Sequence, residues 1–435
     1  MTVAMLLGVA CQTGAERPVP APSPPIVQAT PVPHRLRVVT HPAGATVEVR
    51  HEGTVVASGA SPLDTTVGGG PSEVVVTRDG FNPLVEPVVL DADRTLDLWL
   101  DPQGLLHHKL REFPTSAAPK QVAFTPDGEQ LWATLLGGDG VEVFDPATGE
   151  RLAAIDLGEH GAVEVIFSRD GTTAYASQME TASVFEIDRV TLTVRRQLAT
   201  GGEWSKVMAL SPGERVLYVA NWSSNDVSEI DLATGMVRRL LDTVGTPRGL
   251  YPTADGKRLF VAGFDSGQLA RIDLASGESE TLLDTGGALR HLVGDAERGL
   301  LYADDMAGDQ AYVVDLTTED VRELSPTNEK PNTIDLTPDG RVLYVSNRGE
   351  NGASYYVPGP EWGSVLAIDT ATGAVLDAIV GGNQTTGLDV SPDGRLLAFS
   401  DFLDNRVQIF AIPPTGELLR GGGGRAKTHL ADIPK

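Results

Sequence analysis

The chain has 435 residues, of which 34 are Lys or Arg and 59 are Asp or Glu, so its formal net charge at pH 7 is −25. A nucleic-acid partner needs clustered cations to neutralise its phosphates, and this excess of acidic residues argues against one. A single cysteine excludes an internal disulfide, and 48 glycines with 29 prolines are typical of a turn-dense all-β protein.

A short apolar stretch, residues 3–10, stands directly before the only cysteine, Cys11. Gly8 and Ala10 are small, and a polar Gln-Thr-Gly follows the cysteine. This pattern resembles the end of a bacterial lipoprotein signal. The resemblance implies that residues 1–11 are a signal and that Cys11 is lipidated and becomes the mature N-terminus. The alternative is a disordered leader with an incidental cysteine.

Residues 12–34 are rich in proline. Such a segment cannot pack a core and favours an extended polyproline II conformation, so we expect a semi-rigid tether that holds the following domains away from a membrane. The sequence has no run of 18 apolar residues that could span a bilayer. We therefore expect contact with the membrane through the lipid anchor only.

A small β-domain is predicted over residues 35–101, where apolar and polar residues alternate between turn signals. The predicted strands are 35–40, 45–49, 72–77, 83–90 and 96–100. The span resembles the PEGA domain, a small β-sandwich common on bacterial surface proteins. The residues that carry the resemblance are Pro42, Gly44, Ala45, Gly80 and Phe81. The resemblance implies an accessory, envelope-associated module.

Two turns recur seven times between residues 102 and 413 at a nearly constant distance. One reads like Pro-Asp-Gly and the other like Ile-Asp-x-Ala-Thr-Gly. The second turn is marked in successive copies by Asp145, Asp188, Asp231, Asp273, Asp315, Asp369 and Ala411. The gaps are 43, 43, 42, 42, 54 and 42 residues. A period in the low forties with four short strands per copy predicts a seven-bladed β-propeller.

The first copy illustrates the predicted blade, with strands at 122–125, 130–134, 141–144 and 151–157. The repeated aspartates are expected to cap their own turns rather than to bind metal or catalyse. The repeats resemble the YVTN family of bacterial surface propellers. The family tetrapeptide is echoed by the YVAN that begins at Tyr218 and the YVSN that begins at Tyr344.

Ring closure requires a fourth strand for the seventh blade, because an open propeller would leave unpaired edges. Residues 105–113 and residues 416–420 could both supply it. The first segment leads straight into blade one, so we expect it to close the ring. Residues 414–435 would then form a C-terminal tail, loose from residue 421 onwards.

A ring of equivalent positions is predicted at one mouth of the central channel. These positions lie six residues before the proline of each Pro-Asp-Gly turn, with one deletion allowed in blade five. They are Lys120, Val163, Lys206, Arg248, Arg290, Asn332 and Thr386. Four cations among seven indicate a site for an anionic ligand. The alternative is that each cation pairs with a neighbouring carboxylate such as Glu164 or Glu203.

Aromatic residues are predicted on the same face. Blade six also carries about eleven additional residues in its loop 347–363, and long loops on a regular scaffold often carry function. This loop could lie across the channel mouth or pack its aromatics on the neighbouring blade. The candidate ligand-binding residues beyond the ring are Trp204, Trp222, Arg348, Tyr355, Tyr356 and Trp362.

No catalytic motif, metal site or cofactor site is recognisable, and His291 is the one histidine near the predicted mouth. We therefore predict a monomeric cell-envelope lipoprotein, at the periplasm or cell surface. Its non-catalytic propeller is expected to act as a binding or scaffold module for an envelope protein, a glycan or another anionic ligand. The alternative is a periplasmic propeller enzyme, either a lactonase-like hydrolase or a quinoprotein-like dehydrogenase. Such an enzyme requires a deep pocket in which His291 meets an acid from a neighbouring blade.

Overall fold

The computed structural model describes residues 32–51, 53–421 and 425–433. The predicted lipidation site Cys11 and nearly all of the proline-rich segment lie outside the described residues. No helix in the described part of the chain is long and apolar enough to cross a membrane.

The N-terminal domain is a sandwich of two sheets. One sheet has the strand order β4-β1-β7 and the other β3-β2-β5-β6. Alternate side chains of the strands, such as Leu36, Val47 and Val74, are fully buried between the sheets. The strands are β1 (Pro33–His41), β2 (Thr46–His51), β3 (Thr54–Ala60), β4 (Leu63–Gly68), β5 (Gly70–Thr77), β6 (Leu84–Leu90) and β7 (Arg94–Trp99).

The rest of the structure is a seven-bladed propeller, in which every blade is an antiparallel four-stranded sheet. Before the blades comes β8 (His108–Pro114). Blades one and two are β9 (Pro119–Phe124), β10 (Leu131–Leu135), β11 (Gly140–Phe144), β12 (Arg151–Asp156), β13 (Ala162–Phe167), β14 (Thr173–Gln178), β15 (Ser183–Asp188) and β16 (Thr193–Ala199). Blades three and four are β17 (Ser205–Leu210), β18 (Val216–Asn221), β19 (Asp226–Asp231), β20 (Met236–Asp242), β21 (Pro247–Pro252), β22 (Arg258–Gly263), β23 (Gln268–Asp273) and β24 (Ser279–Asp284).

The last three blades follow the same order. Blades five and six are β25 (Leu289–Asp295), β26 (Leu300–Asp305), β27 (Gln310–Asp315), β28 (Val321–Pro326), β29 (Pro331–Leu336), β30 (Val342–Asn347), β31 (Ser364–Asp369) and β32 (Val375–Val380). Blade seven contains β33 (Thr385–Val390), β34 (Leu396–Asp401) and β35 (Arg406–Ala411). The first strand of each blade contacts the first strands of both neighbouring blades, so these seven strands surround the central channel.

The ring is closed by β8, as the sequence predicts. This strand pairs antiparallel with β35, with Phe113 opposite Val407, and so becomes the outer strand of blade seven. Arg406 on β35 also contacts Glu112 on β8 at 3.0 Å. The last blade is therefore built from both ends of the propeller sequence.

The repeated aspartates cap their own turns, also as predicted. Asp145 accepts a hydrogen bond from the backbone N–H of Ala147 at 2.7 Å, and Gly149 completes the turn with a φ of 76°. The same kind of hydrogen bond, donated by a backbone N–H two or three residues later, is accepted by the carboxylates of Asp188, Asp231, Asp273, Asp315 and Asp369.

The C-terminal segment differs from the predicted loose tail. It forms α1 (Thr415–Gly421), α2 (Arg425–Thr428) and a short 3-10 turn (His429–Ala431). Leu418 is fully buried in the core between blades six and seven. The buried His429 accepts a hydrogen bond at Nε2 from the amide of Asn328 at 2.8 Å. The expectation of a loose tail rested on the four glycines at 421–424, whereas Leu418 before them and Ile433 after them are both buried.

Candidate anion-binding site

The seven residues of the predicted ring occupy one equivalent position in the structure. Each is the second residue of the first strand of its blade, and together they form what we call the inner ring: Lys120, Val163, Lys206, Arg248, Arg290, Asn332 and Thr386. All except the half-buried Lys206 are buried. The four cations line one cavity of about 490 Å3 at the channel mouth.

The two arginines of the inner ring have few polar partners. Arg248 Nη1 lies 3.8 Å from Glu164 Oε1, which is too long for a hydrogen bond. Arg290 Nη1 lies 3.2 Å from the sulfur of Met306. The Nε atoms of both arginines and Nη1 of Arg248 are buried without a hydrogen-bond partner among the described residues. Buried donors of this kind are costly unless a ligand or water satisfies them.

The two lysines contact neutral groups. Lys120 Nζ donates a 3.4 Å hydrogen bond to the Asn332 side chain. Lys206 Nζ lies 3.0 Å from the centroid of the Trp222 ring, in a cation–π arrangement. Within the described residues, Arg248 is therefore the one cation of the inner ring that has a carboxylate within ion-pair distance. The alternative in which every cation has its own carboxylate partner does not describe this site.

Burial and mutual repulsion perturb the charges of the inner ring. Burial, followed by the nearby charges of Arg248 and Arg290, lowers the pKa of Lys206 to about 5. Burial and the Arg248 charge lower the pKa of Arg290 to about 9. The pKa of Lys120 is also well below its usual range because it is buried beside both arginines. An anion at this point would favour the charged form of each of the four basic residues.

A second set of residues surrounds the cavity one layer nearer the solvent. It consists of the first residue after the second strand of each blade, and we call it the outer ring: Leu136, Met179, Trp222, Phe264, Met306, Arg348 and Phe402. Six of the seven are apolar, and all except Phe402 line the cavity. Trp222 and Phe264 contact each other, with ring centroids 5.1 Å apart.

The blade-six loop forms part of this cavity. Tyr355 and Tyr356 line it, and Tyr355 lies under the Arg348 guanidinium at 4.0 Å. Tyr355 also packs on Phe402 of blade seven, with ring centroids 5.2 Å apart, and its carbonyl accepts a 2.9 Å hydrogen bond from Gln384. The loop therefore packs its tyrosines on the neighbouring blade, as the second alternative predicts, and both tyrosines line the cavity.

The two remaining tryptophans that the sequence suggests as ligand-binding residues lie in different cavities. Trp204 lines the cavity, is 47 % exposed and has a φ of 59°. Trp362 does not line it. The returning end of the loop carries Trp362 to a separate cavity beside Asp309 and Leu430, so its assignment to the channel mouth is wrong.

Most members of the outer ring are missing from the sequence-based candidates. Four of them occupy the same position in the repeat as Trp222, but they are of different types and none is charged, so a pattern of charged residues does not include them: Leu136, Met179, Phe264 and Met306. A search by position within the repeat, rather than by residue type, would have found them.

His291 lacks the arrangement that the enzyme alternative requires. Its backbone N–H donates to Asp304 at 2.6 Å, but its Nδ1 has no hydrogen-bond partner among the described residues. Burial and the charges of Arg248 and Arg290 lower the pKa of His291 to about 3, so the ring is neutral. Within the described residues, no group of three or more His, Cys, Asp or Glu side chains could hold a metal ion.

Comparisons with known proteins agree with this architecture. Residues 103–356 match the family model of the YNCE-like beta-propeller, and residues 301–423 match that of the lactonase 7-bladed beta-propeller. Residues 34–103 match the PEGA domain. The propeller of the solved Kuenenia stuttgartiensis hydrazine synthase has a similar fold, with a TM-score of 0.59 and 18 % identity over 69 % of this chain and 97 % of that chain.

A relative with higher identity comes from Leptospira interrogans serogroup Icterohaemorrhagiae. It is named antigen Lp49 and is 36 % identical over 324 residues, which cover 72 % of this chain and 71 % of the relative. The matched family model also covers more than half of the chain. The chain therefore belongs to the YNCE-like β-propeller family and carries a PEGA domain in front of its propeller.

Proposed function

We propose that this protein is a binding module of the cell envelope whose propeller holds an anionic ligand at the inner ring. The observation that carries the proposal is the convergence of Lys120, Lys206, Arg248 and Arg290 on one cavity, with a single carboxylate within ion-pair distance of them among the described residues. Arg348 adds a fifth cation to the wall of the same cavity. Such an excess of positive charge is unusual in a chain of net charge −25.

The free site is destabilised by its own charges. Burial is the main cause of the lowered pKa values of Lys206 and Arg290, and repulsion from the neighbouring Arg248 lowers both further. A bound anion would accept hydrogen bonds from the unsatisfied guanidinium donors of Arg248 and Arg290. Binding to the folded state alone stabilises it by RT ln(1 + [L]/Kd).

The proposed location is the cell envelope, with anchoring through a lipidated Cys11. Support comes from the signal-like residues 1–11, the proline-rich segment and the PEGA domain. A relative that is named an antigen is consistent with a location outside the cytoplasm. We propose a monomer, with an envelope protein, an anionic glycan or a small anionic molecule as its partner.

The test is thermal unfolding at low ionic strength with inorganic phosphate or sulfate. We expect the unfolding temperature to rise by a few degrees at saturating anion, since a hundredfold excess over Kd contributes about 2.7 kcal/mol. The double substitution Arg248→Ala with Arg290→Ala should abolish this rise and leave the fold intact by circular dichroism.

The matched control removes two arginines from the opposite face. Arg395 is 84 % exposed and Arg298 pairs with Asp295 on a surface turn, so Arg298→Ala with Arg395→Ala changes the net charge equally without touching the cavity. The control should keep the anion-dependent rise. An equal loss in both double variants would show that the effect is a general charge effect and would contradict the proposal.

A further inference from the structure

The two rings of the cavity lie at different depths. The backbone N–H of Trp222 pairs with the carbonyl of Trp204, two residues before the inner-ring Lys206, and Phe264 pairs in the same way with Thr246, two residues before Arg248. The outer ring therefore lies nearer the solvent than the inner ring, beside the residues that come before the first strand of each blade.

The two rings also differ in chemistry. The inner ring carries the four cations, whereas the outer ring is apolar except for Arg348, whose guanidinium is covered by Tyr355. A ligand that enters from the solvent would pass an apolar layer before its charge reaches the cations. Burial of a polar group against that layer would be unfavourable because the layer offers few hydrogen-bond partners.

We propose that the ligand is a small organic anion with one compact charged head, a carboxylate or phosphate monoester, on an apolar body. This rests on the proposed function, because the head occupies the inner ring. The apolar body lies against the outer ring and the Tyr355–Tyr356 segment. The cavity volume of about 490 Å3 is in the range of small-ligand sites.

A polyanionic glycan fits the cavity less well. Its hydroxyls and repeated charges would face Met179, Phe264 and Met306, and the carboxylate of Glu180 on the same wall would repel its charges. Met179 and Met306 have flexible thioether side chains, which adapt readily to apolar bodies of different shape. The wall is therefore suited to an apolar surface rather than to a sugar.

The experiment compares four probes with the full chain by calorimetry at fixed pH and low salt. The probes are inorganic phosphate, glucose 6-phosphate, 1-naphthyl phosphate and the uncharged 1-naphthol. We expect 1-naphthyl phosphate to bind at least tenfold more tightly than either of the other phosphates, because its rings displace water from the outer ring. We expect 1-naphthol to bind at least tenfold more weakly than 1-naphthyl phosphate.

Two substitutions then test the role of the outer ring. Met179→Gln and Leu136→Asn introduce polar groups on side chains of similar length and branching, and both should reduce the preference for 1-naphthyl phosphate over inorganic phosphate at least threefold. The control Met236→Gln changes a 67 % exposed methionine that follows a turn on the opposite face, and should leave the preference unchanged.

The outcomes separate the two proposals. If all three phosphates bind equally and 1-naphthol does not bind, the proposal of an anion site stands, but the inference that the ligand has an apolar body is contradicted. If 1-naphthol binds as tightly as 1-naphthyl phosphate, or if no phosphate binds, the proposed anion site is contradicted. The inference about the apolar body is then contradicted as well, because it rests on that site.

Discussion

Lys206 is the residue whose charge should respond most directly to a ligand. Its pKa is lowered to about 5 by burial and by the neighbouring arginines, although the face of Trp222 favours its charged form. At neutral pH the empty site thus holds Lys206 largely neutral. An anion beside it would raise its pKa, so binding and protonation are linked.

We therefore predict that anion binding takes up protons and weakens as the pH rises. The pKa of Lys206 is about 5 in the free protein and should be higher in the complex with the anion. Above pH 5 the free protein therefore binds fewer protons than the complex does. Sulfate affinity should fall by up to about tenfold per pH unit between the two pKa values for each proton taken up. Sulfate is the suitable probe because it does not titrate in this range.

Calorimetry in two buffers of different ionisation enthalpy measures the proton uptake at pH 7. Lys206→Arg keeps a permanent charge at this position and should reduce both the uptake and the pH slope. Sulfate binding with no proton uptake in the unsubstituted protein would contradict the linkage. Lys120 should contribute in the same direction, because its pKa is also lowered by burial and by the two arginines.

At the scale of single elements, β8 is the strand on which closure of the ring depends. It supplies the outer strand of blade seven, and its Phe113 ring packs against Phe144 of blade one at 4.7 Å. The preceding His107 is buried and contacts Asp377 and the Tyr344 hydroxyl, both at 2.8 Å. These contacts join the start of the propeller to blades one, six and seven.

We predict that deletion of residues 1–116 destabilises the propeller far more than deletion of residues 1–101. The longer deletion exposes the edge of β35 and removes several ladder hydrogen bonds, each of which contributes about 1 kcal/mol net. Thermal unfolding of the two truncated chains gives the comparison. The shorter deletion removes the N-terminal domain and is the control for its loss, so equal unfolding temperatures would contradict a stabilising role of β8.

Much of this element-level structure could be predicted because it repeats. The period of 42 or 43 residues predicted the number and the positions of the blades. The boundaries of the strands predicted for blade one lie within three residues of those of β9 to β12. Strands β3 and β4 escaped prediction because residues 54–68 are rich in Gly, Ser and Thr and resemble a loop. Trp362 lies on the predicted face but away from the channel mouth, because an insertion has no repeat phase that fixes the position of its residues on that face.

The distribution of charge is a property of the whole molecule. Acidic residues dominate the composition, and many of them cap exposed turns, whereas five cations line one cavity. Surface acids would slow the approach of free anions at low salt, while the cavity would hold an anion that has entered.

Our last prediction concerns anchoring of the whole molecule. If Cys11 is lipidated, Cys11→Ser should move the full-length protein from the membrane fraction to the soluble fraction of its native host. A single acyl chain binds a bilayer only marginally, whereas the several chains of a mature lipoprotein hold it stably, so the shift should be nearly complete. Gly8→Ala, which changes a nearby small residue but retains the thiol, is the matched control and should leave the protein in the membrane fraction. Unchanged fractionation of the Cys11→Ser variant would contradict anchoring through a lipid on Cys11.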